Sequence, residues 1–131
     1  MNEEKPNVRK KKILVVEDEA HTRETMKDRL EFEGFDVITA QNGAKALELV
    51  RTEIPDLITL DIMLPGGMDG TEVGAALERD KMTRNIPIIY VSCLWTKEDE
   101  KIKGRVMAGQ IIMAKPFNFD ELVDVIKKKI H

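Results

Sequence analysis

The sequence predicts an α/β fold in which a doubly wound sheet of five parallel strands is flanked by five helices. Short apolar runs that suit buried strands alternate five times with segments of about ten to fourteen residues whose apolar positions recur at helical spacing. Such alternation demands parallel pairing through right-handed crossovers, with helices on both faces of the sheet. A second observation places the chemistry. A run that suits a strand buried on both faces, Leu57-Ile58-Thr59-Leu60, ends in an acid, Asp61, and the crevice outside the carboxyl ends of parallel strands is where open sheets bind ligands.

The chain opens with a polar, basic tail, residues 1 to 12, and the folded domain is expected over 13–131. Ile13-Leu14-Val15-Val16 is a β-branched run that stops at Glu17-Asp18-Glu19, a first strand with acids at its C-terminal end. Residues 20 to 33 follow as a helix, with Met26 and Leu30 on the face of Thr22 and Gly34 as its stop. Phe35 to Thr39 alternates as a second strand. Asn42-Gly43 opens a helix in which Ala46, Leu47, Val50 and Ile54 share a face, and Pro55 ends it. Leu57 to Asp61 is the third strand, and Thr71 to Asp80 the third helix, with Val73, Ala76 and Leu77 inward. Ile86 to Ser92 is the fourth strand, with Pro87 tolerated near its beginning. The fourth helix, Lys97 to Ala108, is weak: Ile102 and Val106 are its main apolar pair, and Gly104 in its middle costs ~1 kcal/mol relative to Ala. Ile111 to Ala114 is the fifth strand. Asp120 to Ile130 is the last helix, with Leu122, Val123, Ile126 and Ile130 inward and Lys127-Lys128-Lys129 at the negative end of its dipole. The expected strand order is the flavodoxin-like 2-1-3-4-5, which sets the first and third strands side by side.

Composition narrows the function. At 131 residues, 42% hydrophobic and 34% charged, the chain is one domain with a real core. The tail holds five basic and two acidic residues, so the net charge of -3 conceals a folded part with 16 basic and 22 acidic residues, at -6. An acidic domain lacks the basic stripe of a nucleic-acid binder, and direct nucleic-acid binding is not expected. Arg9-Lys10-Lys11-Lys12 reads as a solvated tail. No apolar run approaches the ~20 residues of a membrane span and the N-terminus has no signal-peptide core, so a cytoplasmic protein without membrane contact is expected. The single cysteine, Cys93, excludes an internal disulfide, and with only His21 and His131 no Cys/His zinc site can be assembled. Cys93 is expected as a small buried thiol and His21 as an exposed residue early in the first helix.

The predicted topology gathers Glu17 and Asp18, Asp61, Ser92 and Lys115 from the ends of the first, third, fourth and fifth strands. Converging acids raise one another's pKa unless a cation sits between them. Oxygen donors without thiol or imidazole suit a hard ion, and Mg²⁺, which takes one or two carboxylates and keeps waters, fits best. A lysine cannot ligate metal as ammonium, but it can pair with the acids at rest and with an anion on arrival. Metal, lysine and hydroxyl around a carboxylate serve phosphoryl transfer, which depends on in-line positioning and charge neutralisation. Asp61 is therefore read as a nucleophile that forms an aspartyl phosphate.

Val16-Glu17-Asp18-Glu19, the run from Pro55 through Asp61 to Pro65, Ser92 and Lys115-Pro116-Phe117, in this order and at these intervals, resemble the receiver domain of two-component response regulators. The resemblance extends over nearly all of Ile13 to Ile130. It implies that Asp61 accepts a phosphoryl group from a histidine kinase or phosphotransfer protein. It also implies that Asp18 ligates Mg²⁺ with Asp61 and the backbone carbonyl of Met63, and that Glu17 holds the metal through water. Ser92 and Lys115 would bind phosphoryl oxygens, and the Lys115-Pro116 bond would be cis. Such a domain is not a conventional enzyme, although it catalyses its own phosphorylation and slow dephosphorylation. Its signal would pass through the face of the fourth helix, fifth strand and last helix. The recipient would be a downstream partner, an output domain not visible in this chain, or a second copy in a phosphorylation-dependent homodimer.

Departures from the family pattern matter as well. The family places Tyr or Phe three residues before the lysine, where this chain has Ile112, and Gly66-Gly67 lengthens the loop after the third strand. Met63 and Leu94, two beyond Asp61 and two beyond Ser92, are apolar and are expected to shield an acyl phosphate from water. Trp95 is expected to cover the site edge in part. The alternative is a pseudo-receiver that docks a partner without phosphorylation. An enzyme of the same architecture is disfavoured. No G-x-G-x-x-G follows the first strand, and Met63 stands where the aspartyl-phosphate hydrolases need a second Asp.

Overall fold

A computed structural model describes residues 9–103, 106–107 and 109–130. The elements run β1 (Lys12–Val16), α1 (Ala20–Phe32), β2 (Asp36–Ala40), α2 (Gly43–Glu53), β3 (Leu57–Asp61), α3 (Gly70–Arg79), β4 (Ile88–Ser92), α4 (Lys97–Lys103), β5 (Val106–Met107), β6 (Gln110–Ala114) and α5 (Phe119–Lys129). The sheet order is β2-β1-β3-β4-β6-β5. Its first five strands are parallel, so the expected 2-1-3-4-5 order holds, with β6 as the fifth parallel strand.

Alternation along each strand feeds two apolar layers. Ile13 and Val15 of β1, Ile89 and Val91 of β4 and Met113 of β6 pack with Met26 and Leu30 of α1 and Leu122 and Ile126 of α5. Leu14 and Val16, Ile58 and Leu60, Tyr90 and Ile112 point the other way, toward Ala46 and Val50 of α2 and Val73 and Leu77 of α3. Helix starts are fixed by side-chain oxygens. Glu19 accepts from the Thr22 and His21 amides, Asn42 from Lys45, and Asn118 from Glu121, while Asp69 and Glu72 form a reciprocal capping box.

Three expectations are corrected. The fourth helix ends at Lys103, and Val106–Met107 instead forms a short antiparallel edge strand against Gln110–Ile111. Gly104, Arg105 and Ala108, part of the expected helix, lie outside the described residues, as do residues 1–8 of the tail and His131. A β-branched valine on the open edge of β6 gains ladder bonds that a weak helix does not offer. Ile54 does not extend the apolar face of α2. It is the C-cap in the left-handed region (φ 44°) and exposed, because Pro55 denies the helix a further turn. Cys93 is exposed, since it stands beyond the last pairing of β4 rather than within it.

Tyr90 depends on a glycine. It is buried on the α3 side of β4, and a Cβ placed on Gly74 would lie 1.9 Å from the Tyr90 hydroxyl. Burial, and secondarily the carboxylate of Glu78, push the Tyr90 phenol above its usual pKa. Gly74→Ala is expected to destabilise the domain by about 2 kcal/mol, in the range of overpacked cores. In a Tyr90→Val background the same change should be nearly neutral, and a double-mutant cycle from urea unfolding measures the coupling.

Candidate functional site

The register of the sheet builds the site. Val16 of β1 pairs with Leu60 of β3, so the residues that follow, Glu17 and Asp61, emerge side by side. Asp61 pairs with Val91 of β4, and Ser92 pairs with Ala114 of β6, which sets Lys115 one residue beyond. Backbone bonds hold these exits: Glu17 donates its N–H to Ala40 O (3.0 Å), Ile62 to Val91 O (3.0 Å) and Lys115 to Ser92 O (3.0 Å). The N-terminus of α3 seats directly on the end of β3, where Gly70 N–H reaches Ile62 O at 2.7 Å. Only glycine fits there, since a Cβ would fall 2.3 Å from Asp61 O.

Glu17, Asp18, Asp61 and Lys115 come together, and Ser92 ends the strand beside Asp61. Glu17, Asp61 and Ser92 are 1%, 4% and 2% exposed, and Asp18 is exposed at the rim. The Lys115 ammonium reaches both buried carboxylates, Glu17 Oε1 at 2.8 Å and Asp61 Oδ2 at 2.9 Å. The other Asp61 oxygen, Oδ1, accepts the Met63 amide at 3.0 Å. Ser92 Oγ accepts the Leu94 amide at 3.1 Å, which leaves the hydroxyl proton available to another acceptor. The Lys115-Pro116 bond is cis.

Electrostatics follow from this geometry. Burial pushes the Glu17 carboxyl above its usual pKa, opposed by its bond from Lys115 and reinforced by the charge of Asp61. Burial disfavours the Lys115 ammonium, but the pairs with Glu17 and Asp61 outweigh it and hold the lysine above its ordinary value. One ammonium thus serves two buried acids, with a third acid beside them. Ligand oxygens of Glu17, Asp18 and Asp61 lie within 4.8 Å of one another. Three carboxylates with no thiol or imidazole among them are donors suited to a hard divalent cation.

The family described as "Response regulator receiver domain" matches residues 13–127. The chain belongs to this family. It is 40% identical over 117 residues to the phosphate regulon transcriptional regulatory protein PhoB of Pseudomonas aeruginosa, which covers 89% of this chain and 50% of that protein. It is 42% identical over 108 residues to the alkaline phosphatase synthesis transcriptional regulatory protein PhoP of Bacillus subtilis, covering 82% and 43%. The chain therefore spans about half the length, or less, of the curated relatives it matches. Among solved structures, response regulator protein TrrA from Thermotoga maritima in complex with Mg(2+)-BeF is similar with a TM-score of 0.74 and 35% identity, over 92% of this chain and 99% of that one. The Francisella response regulator 1452 receiver domain matches with a TM-score of 0.78 and 32% identity, over 91% and 95%.

One side of the rim of this receiver domain is mostly apolar. Met63 and Leu94 are exposed and line one shallow cavity with Ile62, Leu64 and Asp69. Cys93 Sγ lies 3.7 Å from Met63 Sδ. On the opposite side, Lys115, Pro116, Phe117 and Phe119 face His21, Thr22 and Thr25 of α1 across a groove of about 390 Å³ that Cys93 also lines. His21 is exposed, as expected. Trp95 is half-buried against the α2/α3 layer, and its amide donates to Ser92 O at 3.3 Å. Ile112 is buried in the same layer. No described helix is long and apolar enough to cross a membrane.

Removing the shared cation strands two buried charges. Lys115→Met is expected to lower stability by about 2–3 kcal/mol, below the full cost of breaking a buried pair because the lysine is partly exposed. Adding Asp61→Asn removes one stranded charge and should recover part of the loss, as read by urea unfolding of the single and double variants.

Proposed function

We propose that this receiver domain accepts a phosphoryl group on Asp61 from a phosphohistidine of a sensor histidine kinase or phosphotransfer protein, with Mg²⁺ as cofactor. The observation that carries the reading is the Asp61 carboxylate itself. It is buried at a strand end, oriented by Lys115 and the Met63 amide, and set among acids whose oxygens fit a hard cation. Asp18 and Asp61 would ligate the metal with the Met63 carbonyl, and Glu17 through water. When bound, the ion neutralises charge on the phosphoryl oxygens.

The chain's own groups do the rest. An Asp61 oxygen attacks phosphorus in line as the P–N bond to the donor imidazole breaks, and the imidazole leaves with that electron pair. Lys115, already between Glu17 and Asp61, shifts its ammonium to a phosphoryl oxygen. Ser92 turns its hydroxyl proton to another, giving up its bond from the Leu94 amide. That amide begins the loop to α4, where Thr96 and Asp99 form a reciprocal cap and Glu100 Oε2 accepts the Ala114 amide at 2.8 Å. Movement at Ser92 would therefore carry to α4 and the β6 edge, biasing a surface read by a downstream partner, an output domain or a second copy.

Incubation with Mg²⁺ and acetyl phosphate followed by intact mass tests the reading. One phosphoryl adduct is expected on the parent and none on Asp61→Asn. No adduct on the parent, or an equal one on the variant, sinks the proposal and leaves a binding module that works without phosphorylation. The apolar rim is expected to slow loss of the group by excluding water. Met63→Asn with Leu94→Glu should speed dephosphorylation several-fold in a single-turnover decay, and an unchanged rate would dismiss the shielding role.

A further inference from the structure

The chemistry above leaves one cation at the site without a task. Arg23 stands in the first turn of α1, half-buried, and its Nη1 donates to the carbonyl oxygens of both Glu17 (2.9 Å) and Asp18 (3.2 Å). Those are the two consecutive acids that β1 delivers to the cluster. The placement works against the helix, because a cation in the first turn meets the positive end of the dipole. Both of these partners are main-chain oxygens rather than carboxylates, so the bonds constrain the loop and do not occupy the acid side chains.

The rest of the loop is tied as well. The Glu17 amide is in the sheet on Ala40 O, the Glu19 amide leans on Glu17 Oε2 at 3.4 Å, and the Glu19 carboxylate is occupied by capping α1. Arg23 is the side chain that fixes the peptide units of residues 17 and 18 between those two anchors. Three neighbouring carboxylates with one shared ammonium repel one another, and Asp18, the exposed member, has the most freedom to swing outward. Its direction is set by its backbone, and its carbonyl is one of the two that Arg23 holds.

We infer that Arg23 is a positioning residue for metal binding: through the Glu17 and Asp18 carbonyls it preorganises the two acids of the β1–α1 loop around the cation. The inference rests on the Mg²⁺ reading of the cluster. It also competes with a plain charge effect of opposite sign, since removing a nearby positive charge would by itself tighten binding of a dication.

Calorimetric titration of the full chain with MgCl₂ separates these. Arg23→Met is expected to weaken Mg²⁺ binding by about tenfold, at the lower end of effects seen for groups that orient metal ligands. Arg23→Lys, which keeps the charge with a shorter reach and no fork, should fall between the parent and Arg23→Met. With acetyl phosphate, the rate of adduct formation in Arg23→Met should drop at low Mg²⁺ and return to the parent rate at saturating Mg²⁺. A loss of fold alone would not produce that pattern. Unchanged or tighter Mg²⁺ binding by folded Arg23→Met overturns the inference while the Mg²⁺ reading stands. If Arg23→Met does not fold, Arg23→Lys decides: weaker binding than the parent supports positioning, and equal binding overturns it. A parent that binds no Mg²⁺ fails the underlying reading, and this inference with it.

Discussion

A single ammonium, Lys115 Nζ, stands between two buried carboxylates, and the top of the sheet is arranged to tolerate that imbalance. Glu17 and Asp61 cannot both be buried and ionised without it, because the Coulomb repulsion of close carboxylates in a low-dielectric site is not screened by water. The lysine comes from the far end of the parallel sheet, two strands from Asp61 and three from Glu17. Its reach therefore depends on the stagger of β4 and β6. Sheet register, strand length and the charge at the site are one constraint.

That constraint explains why Asp61 ends β3 and Glu17 stands one residue past β1. The last ladder bonds of β1, β3 and β4 fix the backbone on which each acid or hydroxyl is mounted, so the spacing of the side chains is as rigid as the sheet. Met63, Cys93 and Leu94 are exposed just beyond those last pairings. The side chains just beyond the strand ends are therefore the part of the site least fixed by the sheet.

Much of this was legible in the sequence because it depends on local patterns that tertiary contacts reinforce. The β-branched runs ending in Glu17, Asp61, Ser92 and Lys115 predict both the parallel sheet and the convergence of those residues, since strand order alone decides which ends meet. The helix α4 was not legible to the same degree. Gly104 and Val106 weaken the helix, but the gain that ends it comes from the free edge of β6, which only the assembled sheet offers. Ile54 reads as part of an apolar stripe, but Pro55 ends the helix and Ile54 becomes its C-cap in the left-handed region. Arg23 carries no pattern at all. An arginine at the fourth position of an amphipathic helix reads as a solvated charge, and its bonds to Glu17 and Asp18 follow from how the loop folds back over the helix.

The missing aromatic at Ile112 takes on a different meaning once the register is known. Tyr90 pairs directly with Ile112 on the neighbouring strand and points into the same layer. The family pattern places a ring on the fifth parallel strand; here the ring in this layer stands on the fourth, with its hydroxyl seated so closely on Gly74 that any Cβ there would collide with it. Movement of that ring and packing of α3 are therefore coupled. Trp95 lies on the loop beyond Ser92, half-buried against that layer, and the Leu94 and Trp95 amides are bonded to Ser92 Oγ and O. A rearrangement of Ser92 would act directly on those two bonds, because the sheet below it is packed on both faces while Leu94 is exposed.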